Sequence, residues 1–183
     1  MSGMLSTLRK DIDRLRPGRR GSLFRIAIEV LLFDNGFQAV VLHRVAHWFK
    51  QHRIPFFGPF FGRLSQFLTG VEIAPGCEIG PGLQISHGNG IVIGQWARIG
   101  ANATLLHQVT IGAPSASRVE QMPRLGDGVF VGAGARLIGG IEIGDDVFIG
   151  TNSVVAQDVP SHSKVTCGTG ITIRGDRREA EER

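Results

Sequence analysis

Large apolar residues recur six positions apart along the second part of the chain, with small residues between them. A period of six fits neither a helix of about 3.6 residues per turn nor the two-residue alternation of an ordinary strand. It fits a short strand followed by a tight corner, and three such sides close one coil of a prism whose stacked coils share a core. The sequence therefore predicts a parallel β-helix. Its thirteen inward positions are Ile73, Ile79, Ile85, Ile93, Ile99, Leu105, Ile111, Leu125, Val131, Leu137, Ile143, Ile149 and Val155.

The six-residue frame slips twice. Two extra residues fall between Ile85 and Ile93, within a stretch that contains residues 87–90. A longer interruption follows Ile111, where residues 113–124 lack the inward apolar pattern. We expect these residues to leave the prism as an excursion loop. Loops on rigid scaffolds often carry function, and a tolerated insertion is the alternative.

The first 70 residues follow helical spacing and predict a small α-helical cap. Helices are expected over residues 4–16, over about 22–33, from Asn35 as a candidate N-cap, and, after Pro55 and Pro59, over about 60–69. The apolar side of the first helix comprises Leu5, Leu8, Ile12 and Leu15. The predicted fold is mainly β, with an α-helical cap at 1–70, a β-helix at 71–173 and a charged tail at 174–183.

Charge and hydropathy narrow the class of protein. The chain has 183 residues and a net charge of +4, with basic residues concentrated before and after the repeat. A solvated basic face, or attraction to an anionic ligand or membrane surface, accounts for this distribution. No nucleic-acid-binding motif is present, so nucleic acid is not an expected partner. No stretch reaches the roughly 20 apolar residues of a membrane span. We expect a cytoplasmic protein without stable membrane insertion.

Cysteines and histidines define the candidate chemistry. Cys77 and Cys167 are too few for a disulfide framework or a metal motif, and their places in the repeat predict buried side chains. His87 begins the first frame slip, where a side chain at a corner is exposed, so it is either a general base or an ordinary surface residue. His107 either lines a cleft beside it or lies on a flat side. A zinc site would need three converging histidines, and His87 and His107 provide only two, so no metal is expected.

Several segments resemble bacterial serine acetyltransferases, which are hexapeptide-repeat acyltransferases. The resemblance covers about residues 20–173 and includes Gly36-Phe37-Gln38-Ala39, His43-Arg44-Val45-Ala46-His47-Trp48, Thr69 to Gly76, Ile85 to Gly94, Val109 to Gly112, Val131 to Ala135 and Ile149 to Val155. It implies a left-handed β-helix, acetyl-CoA as co-substrate, and a homotrimer or a dimer of trimers.

The resemblance also implies roles for individual residues. His87 matches the catalytic base, and Glu72 matches the carboxylate that orients it, although the family usually has Asp there. The remaining implied roles concern acetyl-CoA. Gly112 matches a position close to the thioester, and the pantetheine arm is held at Gly132, Ala133, Gly150 and Thr151.

The chain departs from the family around the acceptor. Ser86 replaces an Asp, while Gln121 and Met122 replace an Arg-His pair, and the family's cap Asp-Pro falls on Gly21-Ser22. The candidate acceptor-binding set consists of Ser86, His107, Gln121 and Met122. A site for a zwitterion loses buried partners when such charges vanish. The main prediction is therefore an acetyl-CoA-dependent O-acetyltransferase acting on a hydroxyl of a saccharide or another small alcohol.

Two alternatives stay open. The first is a serine O-acetyltransferase that makes O-acetyl-L-serine for cysteine biosynthesis and holds serine with other residues. The second is a catalytically silent binding or scaffold protein that has kept the fold. The presence of both Glu72 and His87 argues against a protein without catalytic activity.

Overall fold

The computed structural model describes residues 2–15, 25, 28–29, 31–32, 34–167 and 171–174. Three sheets of short strands, parallel except for the last strand, form the sides of a prism. Sheet A contains β1 (Val71–Ile73), β4 (Ile91–Ile93), β7 (Thr110–Gly112), β10 (Arg136–Ile138) and β13 (Val154–Val155). Sheet B contains β2 (Glu78–Ile79), β5 (Arg98–Ile99), β8 (Arg124–Leu125) and β11 (Glu142–Ile143). Sheet C contains β3 (Gln84–Ser86), β6 (Thr104–Leu106), β9 (Phe130–Val131), β12 (Phe148–Ile149), β14 (Lys164–Cys167) and β15 (Ile171–Arg174).

Successive strands visit the three sheets in turn, so each coil contributes one strand to each side. Strands from neighbouring coils pair in parallel, as Ile85 does with Leu105 and Leu105 does with Val131. This arrangement confirms the predicted left-handed parallel β-helix.

The period-six residues fill the centre of the prism. All thirteen are buried except Ile79, which is half-buried. Burying each such side chain contributes roughly 1.5–3 kcal/mol, so the stacked core is the main source of stability. Small side chains four places after the large ones are buried too, which lets the corners close tightly. These are Cys77, Ala97, Ala103, Val109, Val129, Ala135, Val147 and Ser153.

Before the prism, the described residues include three helices with both ends defined: α1 (Ser2–Arg14), α2 (Asn35–Gln51) and α3 (Phe57–Thr69). Helix α1 confirms the first predicted helix, and its Ile12, with the following Leu15, packs against Phe37. Leu5 is 58% exposed, so the expected apolar side is only partly buried. The helix predicted over 22–33 lies largely outside the described residues.

The start of α2 differs in detail from the prediction. The N-cap is Asp34 rather than Asn35, and its carboxylate accepts a hydrogen bond from the Phe37 backbone N–H at 3.0 Å. The Asn35 side chain instead donates to the Gly88 carbonyl at 3.2 Å. Both residue types suit an N-cap, so tertiary contacts decided which one serves.

Helix α3 begins three residues before the predicted start, with Pro59 in its first turn. Proline is tolerated there because the first helical N–H groups have no intrahelical acceptor. The helix ends at Gly70, whose φ of 71° is the left-handed conformation that glycine adopts most easily. Helix α3 lies along the open edge of β1, where the Ser65 hydroxyl donates to the Val71 carbonyl at 3.1 Å.

A buried ion pair fastens the cap to the first coil. The Asp11 carboxylate accepts from Arg44 at 3.1 Å and from the backbone N–H groups of Gly82 at 2.7 Å and Leu83 at 3.2 Å. Arg44 also donates to the Gly80 carbonyl at 2.7 Å. Because the charges are well satisfied, removing either partner would leave the other buried and uncompensated.

The far end of the prism closes differently from its coils. Strand β15 runs antiparallel to β14, so it forms a hairpin rather than a further rung. Cys167 in β14 is exposed, which corrects the expectation of a buried side chain. Cys77 is buried as predicted, and burial raises the pKa of its thiol to about 12. The tail after Arg174 lies outside the described residues.

Candidate active site

The corner between sheets C and A, here the histidine corner, comprises residues 87–90, 107–109, 132–135 and 150–153. The pairing of Val131 with Leu105 and Ile149 places His107, Ala133 and Thr151 in line on successive coils. Backbone hydrogen bonds continue this line. Gly134 donates to the His107 carbonyl at 2.9 Å, and Asn152 donates to the Ala133 carbonyl at 2.8 Å.

His87 lies in a bulge of this corner. Gln108 donates to the Asn89 carbonyl at 2.8 Å, so Asn89 occupies the coil position above His107. His87 and Gly88 are therefore the two extra residues of the frame slip, and His87 is exposed. Its φ of 57° is uncommon for a residue with a Cβ atom. Gln108 and Asn152 of the same corner also have a positive φ, so this conformation belongs to the tight corner and does not distinguish His87 from them.

Gly88 holds the bulge against the protein. A Cβ atom there would lie 2.7 Å from the Ile85 side chain and 3.0 Å from that of Val71, so only glycine fits. The Gly88 carbonyl accepts from Asn35, which fixes the bulge to the start of α2. Sequence reasoning did not assign this role to Asn35, because the two residues are far apart in the chain.

Glu72 lies beside the histidine corner on the outer face of β1. The Gly90 N–H donates to the Gly70 carbonyl at 2.9 Å, which ties the corner to the residues just before Glu72. The Glu72 carboxylate accepts a hydrogen bond from the Gln66 side chain at 2.8 Å. Within the described ranges no hydrogen bond joins Glu72 to His87. Gln66 is a second contact that the sequence pattern did not indicate.

One ring nitrogen of His107 lacks a hydrogen-bond partner among the described residues. Its ring is half-buried, and its Nδ1 atom is shielded from solvent without a partner among the residues that the structure describes. Buried polar atoms are nearly always hydrogen-bonded, so this nitrogen is available to a ligand or a neighbouring chain. Ser86 ends β3 one residue before the bulge and is half-buried.

The corner between sheets A and B carries the excursion loop and is here called the loop corner, residues 112–123. Gly112 ends β7, and the loop contains a short 3-10 helix at Ala116–Arg118 before β8 begins. Gln121 packs over Gly140, and Met122 packs over Gly94. The Trp96 backbone N–H also lies 3.3 Å from the Met122 sulfur. The loop therefore folds back on the prism.

A groove of about 280 Å³ lies beside Met122. Its charged lining residues are Glu78, Arg98, Glu120 and Arg124. Glu78 and Arg98 pair at 3.2 Å, and both are exposed. The groove thus presents charges of both signs next to the loop.

The two corners lie at opposite ends of the strands of sheet A. A three-residue strand is roughly 10 Å long, so one face of the prism separates them. The structure brings His87, His107, Ala133 and Thr151 to one edge, together with Gly132 and Gly150. It places Gly112, Gln121 and Met122 at the other edge. A single chain therefore does not unite the candidate base with the loop residues.

The cap carries a separate set of histidines, of which His43 is buried, His47 is half-buried and His52 is exposed. His43 is fully buried near Arg44 and His47, and burial, with a smaller contribution from these charges, lowers its pKa to about 3. A histidine kept neutral inside the cap has a structural role.

None of the described helices combines the length and the apolarity needed to cross a membrane.

The repeated coils and the glycine-lined corner are those of a hexapeptide-repeat transferase, and a family model described as bacterial transferase hexapeptide, six repeats, matches residues 122–157. A serine acetyltransferase from Synechococcus elongatus is 47% identical over 149 residues, which span 81% of this chain and 61% of that protein. One from Helicobacter pylori is 43% identical over 149 residues, 81% of this chain and 87% of that protein. The chain belongs to the serine acetyltransferase family.

Solved structures agree with this assignment. The crystal structure of Neisseria gonorrhoeae serine acetyltransferase superposes with a TM-score of 0.86 and 29% identity, covering 96% of this chain and 66% of that one. The same enzyme in complex with serine superposes with a TM-score of 0.81 and 30% identity, covering 94% and 69%. The chain thus spans about two thirds of these structures.

Proposed function

We propose that the protein transfers the acetyl group of acetyl-CoA to the hydroxyl of L-serine, forming O-acetyl-L-serine. The observation that carries this proposal is the 43% identity to the Helicobacter pylori serine acetyltransferase over 87% of its length. Relatives of this name support L-serine, the alternative prediction, better than the saccharide acceptor of the main prediction. Because acetyl-CoA is a cytoplasmic metabolite, we place the activity in the cytoplasm.

His87 is the proposed general base. Its exposed place on the bulge lets the imidazole take the proton of the acceptor hydroxyl while the hydroxyl oxygen attacks the thioester carbonyl carbon. The tetrahedral intermediate then collapses, the C–S bond breaks, and the imidazolium returns the proton to the leaving thiolate. Free CoA and the acetyl ester are the products.

Glu72 is the proposed positioning residue for His87. A carboxylate beside an imidazole fixes its tautomer and stabilises the imidazolium that forms during the reaction. In the free chain the carboxylate accepts from Gln66, which holds it at the edge of the histidine corner. The longer Glu side chain replaces the family's usual Asp at this position.

The histidine corner supplies the proposed donor site. Small residues at Gly132, Ala133, Gly150 and Thr151 line this corner on successive coils and are the proposed contacts of the pantetheine arm. Backbone N–H groups near Gly112 are the proposed donors to the developing oxyanion. No metal is required for this chemistry.

A homotrimer, alone or paired as a dimer of trimers, would complete the site. The loop corner of one chain would meet the histidine corner of the next, which overcomes their separation across sheet A. Light scattering at micromolar concentration should give a trimeric or hexameric mass. A monomeric mass would contradict this assembly.

A saccharide hydroxyl is the second candidate acceptor. The observation that favours it is the replacement of three ionisable family residues by Ser86, Gln121 and Met122, which suits a neutral ligand. The charged groove beside Met122 argues instead for a zwitterion, since Glu120 and Arg124 line it.

Thiol release from acetyl-CoA with a panel of acceptors tests the proposal. We expect the highest kcat/KM with L-serine, and inhibition by free cysteine as a serine mimic. A higher kcat/KM with a saccharide and weak inhibition by cysteine would establish the second candidate. Failure to release thiol with any hydroxyl acceptor would reject acetyl transfer.

A further inference from the structure

Helix α3 presents an aromatic face to solvent. Phe60 and Phe67 are 58% and 85% exposed, and Phe56, just before the helix, is 84% exposed. We call Phe56, Phe60 and Phe67, with the neighbouring Phe57 and Leu68, the aromatic face. All five side chains are at least half exposed.

The aromatic face is the side of α3 that points away from the prism. Positions 56, 60, 63 and 67 follow helical spacing and share one side of the helix. Gly58, Ser65 and Thr69 lie on the opposite side and are buried. The Ser65 hydroxyl bonds to β1, so the aromatic side chains cannot turn toward the core without breaking the cap. Phe49 stacks on Phe57 and Phe61 packs edge-on against Phe60, and the remaining surface of these side chains is open to solvent.

Positive charge predominates around this face, although the Glu72 carboxylate lies beside it and accepts a hydrogen bond from Gln66 of α3. The sequence contains no Asp or Glu from residue 35 to residue 71. The same stretch carries exposed Lys50, Arg53 and Arg63. Arg63 shares the outward side of α3, and its only described partner is the neutral Gln66 side chain at 2.6 Å. Lys50 and Arg53 line one cavity with Phe56.

We propose that the aromatic face docks the protein on the surface of a membrane that carries anionic headgroups. Exposed phenylalanines enter the boundary between headgroups and acyl chains, while flanking cations bind the phosphates. A second copy fits less well, because meeting this face with itself would bring Arg63 near Arg63, and the neighbouring Glu72 is already hydrogen-bonded to Gln66. This inference is independent of the acceptor and of the catalytic residues.

Sedimentation with lipid vesicles tests the docking. The native chain is mixed with vesicles of phosphatidylcholine alone and of phosphatidylcholine with phosphatidylglycerol. We expect binding to the mixed vesicles, weaker binding to the neutral ones, and release by high salt. Phe60→Ser with Phe67→Ser should abolish binding. Arg53→Gln with Arg63→Gln should weaken binding to the mixed vesicles by roughly thirty-fold, since each cation near the surface contributes about a factor of five.

Matched controls separate this face from general effects. Leu5→Ser with Leu32→Ser removes exposed apolar side chains elsewhere, and Arg9→Gln with Lys10→Gln removes the same charge elsewhere. Both controls should bind vesicles like the native chain. The Phe60 and Phe67 double variant should keep its thiol release in solution, which shows that it is folded.

Three results would overturn the proposal. The first is a native chain found only in the supernatant with both kinds of vesicle. The second is a loss of binding by the controls as strong as that of the aromatic and arginine variants. The third is a lower mass by light scattering on loss of the phenylalanines, which would make the face an interface between copies of this chain.

Discussion

The histidine corner and the loop corner are built by different means. Backbone hydrogen bonds from coil to coil align the histidine corner, and its proposed donor-binding residues are small. The loop corner depends on side chains that rest on the prism, such as Met122 over Gly94. In the proposed site, the donor contacts at the histidine corner therefore follow from the repeat itself, whereas the proposed acceptor contacts of Gln121 and Met122 come from loop side chains that can change without altering the fold.

The largest expected effect is at His87. His87→Asn should lower kcat by roughly 10² or more, because general-base catalysis contributes at least that much. Asn tolerates the left-handed backbone at this position better than Ala does. Steady-state thiol release measures kcat, and calorimetry should show that acetyl-CoA still binds.

His162→Asn is the matched control, because His162 also has a positive φ, of 61°, but lies at another corner of the prism. It should leave kcat unchanged. If His87→Asn kept a near-native kcat, the base would have to be another group, with His107 first.

The next effect tests the loop corner. Gln121→Arg with Met122→His restores the family's pair, and should raise kcat/KM for L-serine by roughly ten-fold or more through charge-assisted hydrogen bonds. The value for a saccharide should not rise. An unchanged kcat/KM for L-serine would show that these two positions do not contact the acceptor.

A smaller effect is expected at Glu72, which orients the base without exchanging the proton. Glu72→Gln should lower kcat by roughly ten-fold, less than the loss at His87, with little change in the KM for acetyl-CoA. Glu72→Asp, the usual family residue, should recover most of the loss. A loss that Asp does not rescue would indicate a purely structural role.

The smallest effect on catalysis is expected from His43, the buried cap histidine. Its folded pKa of about 3 lies below its unfolded value of 6.5, so the unfolded chain binds an extra proton between these values. Stability is therefore full above pH 6.5 and falls as the pH drops toward 3. The free energy of unfolding should be roughly 2 kcal/mol lower at pH 5 than at pH 8 from this group alone.

His43→Leu should remove that part of the pH dependence and leave kcat unchanged. Denaturant unfolding at both pH values measures the change. An unaltered pH dependence in the variant would show that other groups cause the acid sensitivity.

Much of the fold was predictable from spacing. The period of six located the inward residues, and the first slip located the bulge that exposes His87. Spacing could not choose Asp34 over Asn35 as the cap, because the contact with Gly88 decides it. It placed Cys167 inside, although β14 turns into a hairpin there instead of beginning another coil.

The candidate site was predictable only in part. Residue types and order indicated His87 and Glu72, but not that one face of the prism separates His87 from Met122. That separation follows from which corner each segment occupies, and it becomes visible only when the coils are stacked. The anchor formed by Asp11 and Arg44 joins distant segments and left no local signal.

In the proposed assembly, one active site is shared by the histidine corner of one chain and the loop corner of the next. Co-expression of His87→Asn with Gly112→Leu tests it, because each variant damages one corner only. Leucine fits at Gly112 without unfolding the chain, since a Cβ atom there meets nothing closer than Thr110 at 4.0 Å. Random assembly should restore about a quarter of the native kcat through interfaces that pair two intact corners. Mixed assemblies as inactive as the separate variants would contradict the claim.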